Sequence, residues 1–392
     1  MPGGFPTGRV GSQRVECSQV STEGGVQHME TRTEPNQAIV PGLLSEGEQP
    51  DFPRVLMLAA GGTIARALAV AARLRIPELL AAGPLSSGEL AKRAECHPEA
   101  LDRLLGTLAL AGVLTRVADG GYRLTDAGAV LRSDHPASLR NTVMLLAETY
   151  DDAFRGLLTT VTSGESAFRE VFGVSLYEHL AANPEEERVF DAAMAEMCRP
   201  VAAELAGGYD FSGVRTVVDV GGGDGTLLGG ILREHPELRG VCVDRPSVCE
   251  RAAAPPHPAG DRIVFRPADI FTEIPAAGDR YVIKNVLHDW PTEWQVRVLT
   301  AIRRAMAATP GSRLLVIEPM LEDEIDAPHA LTQMVLCEGG TRGFSEAGMR
   351  RLLAAAGFTP LSAGALAGDH RLFECVPSAE AGPVPEARPA GG

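Results

Sequence analysis

The sequence predicts an α/β protein in which a doubly wound, largely parallel sheet follows a small helical domain of winged-helix type. Three observations carry that prediction. From residue 213 to about 376, short apolar runs of strand length alternate with segments of helical periodicity, the pattern of repeated strand-crossover-strand units. At the head of this region, residues 216–225 read Thr-Val-Val-Asp-Val-Gly-Gly-Gly-Asp-Gly, a β-branched run that breaks into four glycines within five positions. A buried strand turning sharply into a helix needs that composition, because glycine takes φ > 0 freely and lets the backbone approach a ligand closely. Ahead of the sheet, residues 54–134 read helix, helix, hairpin.

Taken in order, residues 1 to about 50 carry Gly, Pro, Ser, Glu and Gln with no periodic apolar pattern. They are expected to be disordered, with Met29 or Met57 as alternative initiators to Met1. Residues 56–80 place Ala, Leu, Ile and Val at helical spacing, with a break between helices at 76–80. Ser86 and Glu89 have the spacing of a capping box and open a short helix. His97-Pro98-Glu99-Ala100 opens another, carrying Leu101, Leu104, Leu105, Leu108 and Leu110. Residues 115–117 and 122–124, around Asp119-Gly120-Gly121, read as a hairpin.

Such a module is often a DNA reader. A major-groove helix, however, needs cations for phosphates and polar side chains for base edges. Residues 97–114 offer Arg103 against Glu99 and Asp102 among leucines and alanines. The module therefore reads as a dimerisation domain, in which residues 56–72 of two subunits pack together.

Residues 135–205 are expected to be a largely helical connector, with loop and turn over 163–180 and then a helix carrying Phe190, Met194 and Met197. Phe168, Phe172, Tyr177 and Met194, with Met334 farther on, are the candidates for an apolar wall over a substrate. Residues 206–376 hold strands at 216–220, 240–243, 263–265, 280–284 and 313–318, then a late antiparallel pair near 358–363 and 370–376. Residues 377–392 are Pro, Ala and Gly, expected to be a disordered tail.

Composition bounds the function. The chain has 392 residues, 45% hydrophobic, enough for two domains, and its formal charge of -15 disfavours general affinity for nucleic acid or an anionic membrane. No run reaches the roughly 20 apolar residues of a membrane span. No basic stretch followed by an apolar core opens the chain, so the cytoplasm is the expected location. Seven scattered cysteines without zinc-ligand spacing predict reduced, mostly buried thiols and no metal.

In open α/β sheets, ligands bind beyond the carboxyl ends of the strands. The first such turn does not fit G-x-G-x-x-G; its spacing is Asp219-x-Gly221-x-Gly223-x-Gly225. Asp244 closes the second strand, where a carboxylate can accept from both hydroxyls of a ribose. No Lys-Ser/Thr of a phosphate loop follows, so a nucleoside without phosphates is the expected ligand. Arg245, Asp269, Ile270 and Phe271 sit past the next strand ends, with Asp269 facing the base, and Lys284 can lay its stem along the nucleoside. After Lys284 the chain reads Asn285-Val286-Leu287-His288-Asp289-Trp290, which presents a histidine at the rim of the cleft while Glu318 leaves the adjacent strand. A histidine held by a carboxylate is the side chain best suited to take a hydroxyl proton near neutral pH.

These features together resemble the class I small-molecule O-methyltransferases of the caffeate and acetylserotonin type, including bacterial polyketide-tailoring members. The similarity runs over about residues 55–376. It rests on the acidic glycine motif, Asp244, the 268–271 turn, Lys284 with His288-Asp289-Trp290, residues 315–319, Phe344-Ser345-Glu346 and Ala355-Ala356-Gly357-Phe358. It implies a Rossmann-like methyltransferase sheet, S-adenosyl-L-methionine as cofactor, His288 as general base and Glu318 as the carboxylate orienting it. Asp219, Gly221, Gly223, Gly225, Asp244, Arg245, Asp269, Ile270, Phe271 and Lys284 become cofactor contacts, and the assembly a homodimer acting on an aromatic or polyketide-like metabolite. The chain departs from the pattern where many members carry a second glutamate and this one has Gly343, with Glu338 out of register. It departs again at Asp191 and Cys198, where Asn and Ser are frequent. These departures leave room for N- or C-methylation, or for tailoring without methyl transfer, and the winged helix leaves room for a regulator.

Overall fold

The computed structural model describes residues 55–379 apart from 57, 255–256, 275–277, 322–326 and 339–342. The expectations for residues 1–50 and for Met1, Met29 and Met57, and nearly all of the tail, lie outside these residues. The N-terminal layer begins with α1 (Gly61–Arg73), whose alanines Ala67, Ala69, Ala71 and Ala72 are buried. It stops at Arg75 in the left-handed region (φ 55°), and a single helical turn, Ile76–Leu79, follows. Helix α2 (Ser87–Arg93) has the reciprocal Ser86/Glu89 capping box. Helix α3 (Pro98–Leu110) is capped by His97, whose ring accepts from the Ala100 amide. It turns Leu101, Leu105 and Leu108 into a core shared with α1, α2 and Tyr122. Strands β1 (Leu114–Arg116) and β2 (Tyr122–Leu124) form the hairpin with Leu114 opposite Leu124, which places β1 one residue earlier than the sequence suggested.

The connector departs from the sequence reading. It comprises α4 (Arg140–Leu145), α5 (Leu157–Ser163), α6 (Ala167–Phe172), α7 (Leu176–Ala182) and the long α8 (Pro184–Gly208). The loop expected over 163–180 is therefore mostly two short helices. Gly164 and Gly173 end α5 and α6 in the left-handed region, and Ser175 with Glu178 forms a capping box that starts α7. Glu196 of α8 ties the connector together. Only 5% exposed, its carboxylate accepts from the Ser138 hydroxyl, the Asn141 amide and side chain, and the Thr142 amide and hydroxyl at 2.8–3.3 Å. Each buried donor left unpaired costs about 1–3 kcal/mol. We expect Glu196→Ala to lower unfolding stability by about 2–4 kcal/mol, read from the denaturant midpoint; a loss below about 0.5 kcal/mol would show the cap to be dispensable.

Among the described residues the sheet carries seven strands in the order β5-β4-β3-β6-β7-β9-β8. They are β3 (Thr216–Val220), β4 (Arg239–Asp244), β5 (Ile263–Pro267), β6 (Arg280–Lys284), β7 (Arg313–Pro319), β8 (Phe358–Leu366) and β9 (His370–Pro377). All pairings are parallel except those of β9, which runs antiparallel to both β7 and β8. β9 reaches Pro377, one residue into the expected tail, because Phe358 stands opposite it. Helices α9 (Thr226–Glu234), α10 (Pro246–Ala253), α11 (Thr292–Met306), α12 (Ala327–Leu336) and α13 (Glu346–Ala355) complete the domain. Apolar cores fill both faces of the sheet. The chain leaves β3 toward β4 on one side and reaches β6 on the other, so the strand order reverses at β3, where a crevice opens past the strand ends.

Candidate active site

The glycine turn after β3 is shaped for a ligand by backbone alone. Gly221, Gly223 and Gly225 have φ of 72°, 59° and 82°. A Cβ on Gly221 would lie 2.6 Å from a Val286 methyl, and one on Gly225 2.7 Å from Ile263, whereas Gly223 faces open space. The turn delivers the N-terminus of α9, whose free amides favour an electronegative ligand. Asp244 closes the cradle: its Oδ2 accepts from the Gly223 amide (2.9 Å) and its Oδ1 from the Arg245 amide (2.7 Å). A carboxylate has about four acceptor sites, so two remain for ribose hydroxyls. Burial raises its pKa against the pull of those two amides.

Asp219, on β3 beneath the turn, is buried with Oδ2 unpartnered. Burial pushes its carboxyl up to about 7 against the pull of Lys284. An orphaned acceptor beside a glycine cradle fits a ligand bearing an ammonium and ribose hydroxyls. Asp269 folds into a turn in which its Oδ1 accepts from the Phe271 amide (3.0 Å), and the Phe271 ring stands edge-on to Trp290 at 4.7 Å. Ile270 packs against the sheet core beside them.

On the other side of the crevice, Glu318 at the end of β7 is fully buried. Its Oε1 accepts from the amides of Val286 and Leu287 (3.0 and 2.8 Å), and its Oε2 meets His288 Nδ1 at 2.5 Å. One carboxylate thus fixes both the turn and the imidazole. A carboxylate accepts only, so Nδ1 carries the proton and Nε2 is the nitrogen left for chemistry. Burial alone would lower the His288 pKa, but Asp289 and Glu318 outweigh it and raise it to about 9. The turn is further held by Gln295, which donates to the carbonyls of Leu287 and Trp290.

Helix α7 roofs the crevice. Tyr177 stacks on Trp290 (5.6 Å, 6° between planes), the Arg245 guanidinium lies 5.3 Å above its ring, and its hydroxyl donates to Asp289. Phe172, Tyr177 and Met194 are half-buried in one cluster, and Met334 is half-buried on α12. Phe168 is a correction: it is 0% exposed and stacked on Phe172 at 4.4 Å, so it buttresses the wall instead of lining it. The side chains that sequence reasoning left without a role are Asp289, Cys337 and Gln295. Asp289 had one signal, adjacency to His288; Cys337 and Gln295 had none.

The departures have local causes. A side chain at Gly343 (φ 68°) would collide with Leu321 and approach Gln333. Glu338 pairs with Arg169 of α6 at 3.0 Å. Asp191 binds Arg251 at 2.5 Å, and the buried Cys198 thiol is pushed up to about 11 by desolvation.

A glycine turn closed by Asp244 faces a carboxylate-held histidine across a doubly wound switch point, an arrangement suited to group transfer. The chain belongs to the O-methyltransferase family: the family's O-methyltransferase domain matches residues 154–359 and its dimerisation domain residues 56–134. It is an S-adenosylmethionine-dependent O-methyltransferase. It is 37% identical over 279 residues to the phenazine O-methyltransferase PhzM of Lysobacter antibioticus, covering 71% of this chain and 81% of that one. Against the O-demethylpuromycin-O-methyltransferase of Streptomyces alboniger it is 37% identical over 314 residues, covering 78% and 83%. Among solved structures, the mitomycin 7-O-methyltransferase MmcR superposes with a TM-score of 0.75 at 33% identity, covering 83% of this chain and 98% of that one.

Proposed function

We propose that the protein methylates a hydroxyl of an aromatic or polyketide-like small molecule, with His288 as general base and Glu318 as its orienting carboxylate. The observation that carries this reading is the 2.5 Å contact between His288 Nδ1 and Glu318 at the mouth of the crevice. Bound in the cradle, the cofactor supplies an electrophilic methyl group on a sulfonium. Gly221, Gly223 and Gly225 give it backbone access, Asp244 takes the ribose hydroxyls, Asp219 and Lys284 lie under the turn, and Arg245, Asp269, Ile270 and Phe271 border the base. A phenol with pKa about 10 is mostly protonated at neutral pH, so Nε2 of His288 takes that proton as the oxygen attacks. The apolar wall of Phe172, Tyr177, Met194 and Met334 supports a flat, largely apolar acceptor.

The same reading makes the protein a cytoplasmic homodimer. Large apolar side chains left exposed include Val55, Leu56, Leu58 and Val70 near α1 and Leu146, Leu158 and Val161 on the connector, which suits burial against a second copy. No helix among the described residues is long and apolar enough to cross a membrane. Nucleic acid has no part in the proposal: α3 spends its leucines on the core, and its Arg103 stands 4.0 Å from Glu99. The test is incubation with S-adenosylmethionine and a panel of hydroxylated aromatics, following S-adenosylhomocysteine and product mass. O-methylated product is expected; turnover confined to amine or carbon acceptors would overturn the hydroxyl assignment.

A further inference from the structure

His288 is flanked by carboxylates on both ring nitrogens. Besides Glu318 on Nδ1, Asp289 Oδ1 lies 3.3 Å from Nε2, the nitrogen that must accept the substrate proton. Asp289 is not a loose neighbour. Its Oδ2 accepts from the Tyr177 hydroxyl at 2.5 Å, and its Oδ1 accepts from the Cys337 thiol at 3.3 Å. Burial first, and then Asp289 itself, hold Tyr177 and Cys337 well above their ordinary pKa values, so both remain donors. A carboxylate gripped by two neutral donors therefore stays at ion-pair distance from Nε2. With Nδ1–H committed to Glu318, a neutral imidazole would set its Nε2 lone pair beside a carboxylate oxygen, whereas an imidazolium is hydrogen-bonded to Glu318 and ion-paired with Asp289.

We propose that Asp289, held by Tyr177 and Cys337, is a positioning residue that keeps His288 protonated in the free enzyme, and that the proton leaves when a cation is seated in the cofactor cradle. The inference rests on the reading of His288 as base. The raised His288 pKa agrees with the geometry. Among the described residues, the other charged or titratable groups facing the ring are Lys284 at the end of β6, which opposes protonation, and His329 on α12, with ring centroids 6.5 Å apart. Tyr150 adds a further neutral hydroxyl near Asp289 and Cys337.

Cradle and clamp are joined. Val286, two residues before His288, packs against the Gly221 backbone, and Arg245, next to Asp244, covers the Tyr177 ring. A positive charge brought near His288 disfavours the imidazolium, and the proton passes to solvent, leaving the Nε2 lone pair free for a substrate hydroxyl. The base is thus unmasked only in an enzyme already loaded with methyl donor. S-adenosylhomocysteine, a neutral thioether at the reacting atom, lacks the charge that would expel the proton.

Calorimetric titration with S-adenosylmethionine and with S-adenosylhomocysteine, each in phosphate and in Tris at pH 8, counts the protons released. Wild type is expected to release roughly 0.5–0.9 proton more per subunit with the sulfonium than with the thioether. Asp289→Asn, near-isosteric, is expected to cut that difference below about 0.3, and Tyr177→Phe to reduce it in part. In Asp289→Asn the pKa on the acid limb of kcat/KM is expected to fall by more than about one unit, which a purely structural role would not move. Equal release with both ligands, an undiminished difference in Asp289→Asn, or a difference that survives in His288→Ala each overturns the proposal. The count needs no turnover, so it stands apart from the base assignment: normal methylation by His288→Ala alongside a normal proton count in wild type would remove the base role and keep the clamp. Failure of either ligand to bind would overturn both.

Discussion

Asp244→Ala is expected to weaken S-adenosylmethionine and S-adenosylhomocysteine alike by about 10²–10⁴-fold. The carboxylate is the acceptor for the Gly223 and Arg245 amides and, in the proposed mode, for two ribose hydroxyls. A hydrogen bond to a charged group is worth about 1.5–3 kcal/mol, so two lost to the ligand give about 3–6 kcal/mol. The loosened turn adds to the loss, because Gly223 then has nothing to hold its amide toward the crevice. The measurement is calorimetric titration of wild type and variant, with circular dichroism to show that the sheet persists. Micromolar binding retained by the variant would remove the 219–225 turn and Asp244 from the cofactor site.

For His288→Ala, kcat is expected to fall by about 10²–10⁴-fold, the usual range for a positioned general base, while affinity for S-adenosylhomocysteine stays within about threefold. The separation follows from where the side chains sit. Asp244 is at the end of β4 and His288 in the turn after β6, with β3 between the two strands. Steady-state kinetics on an acceptor of known turnover, paired with an S-adenosylhomocysteine titration, reads both quantities. A kcat within about fivefold of wild type would mean that proximity of donor and acceptor carries the reaction and that the histidine is structural.

Much of this site is legible in the sequence because its parts are local. The glycine turn and Asp244 are marked by composition at strand ends, and Lys284 to Trp290 by its place after an apolar strand. Asp219, buried below the turn, was placed by spacing alone. What escaped are meetings between distant segments. Tyr177 and Asp289 are 112 residues apart, Cys337 and Asp289 48 apart, and no periodicity encodes their contact. The helices at 167–172 and 176–182 escaped for another reason. Each spans fewer than two full repeats of helical spacing, and their signals are Gly164, Gly173 and the Ser175/Glu178 box, which read equally well as turn chemistry. Phe168 shows the limit of residue type as a guide: an aromatic on the right helix can serve the core one layer behind the pocket.

The antiparallel insertion of β9 has a consequence for how the enzyme comes into being. β9 is the last strand in order, yet it lies inside the sheet between β7 and β8, with Arg371 opposite Glu318. His370, at its start, contacts the Asn285 side chain at 2.8 Å, three residues before the proposed base. While the chain is still being synthesised, β7 therefore carries an open edge, and the carboxylate that orients His288 lacks its neighbour on that side. Domains form in the order in which they emerge. The dimerisation module can be complete long before residue 370 leaves the ribosome, whereas the reactive turn is framed on both sides only after β9 has emerged. A chain cut before residue 370 is therefore expected to keep the N-terminal module while lacking the strand that frames the reactive turn.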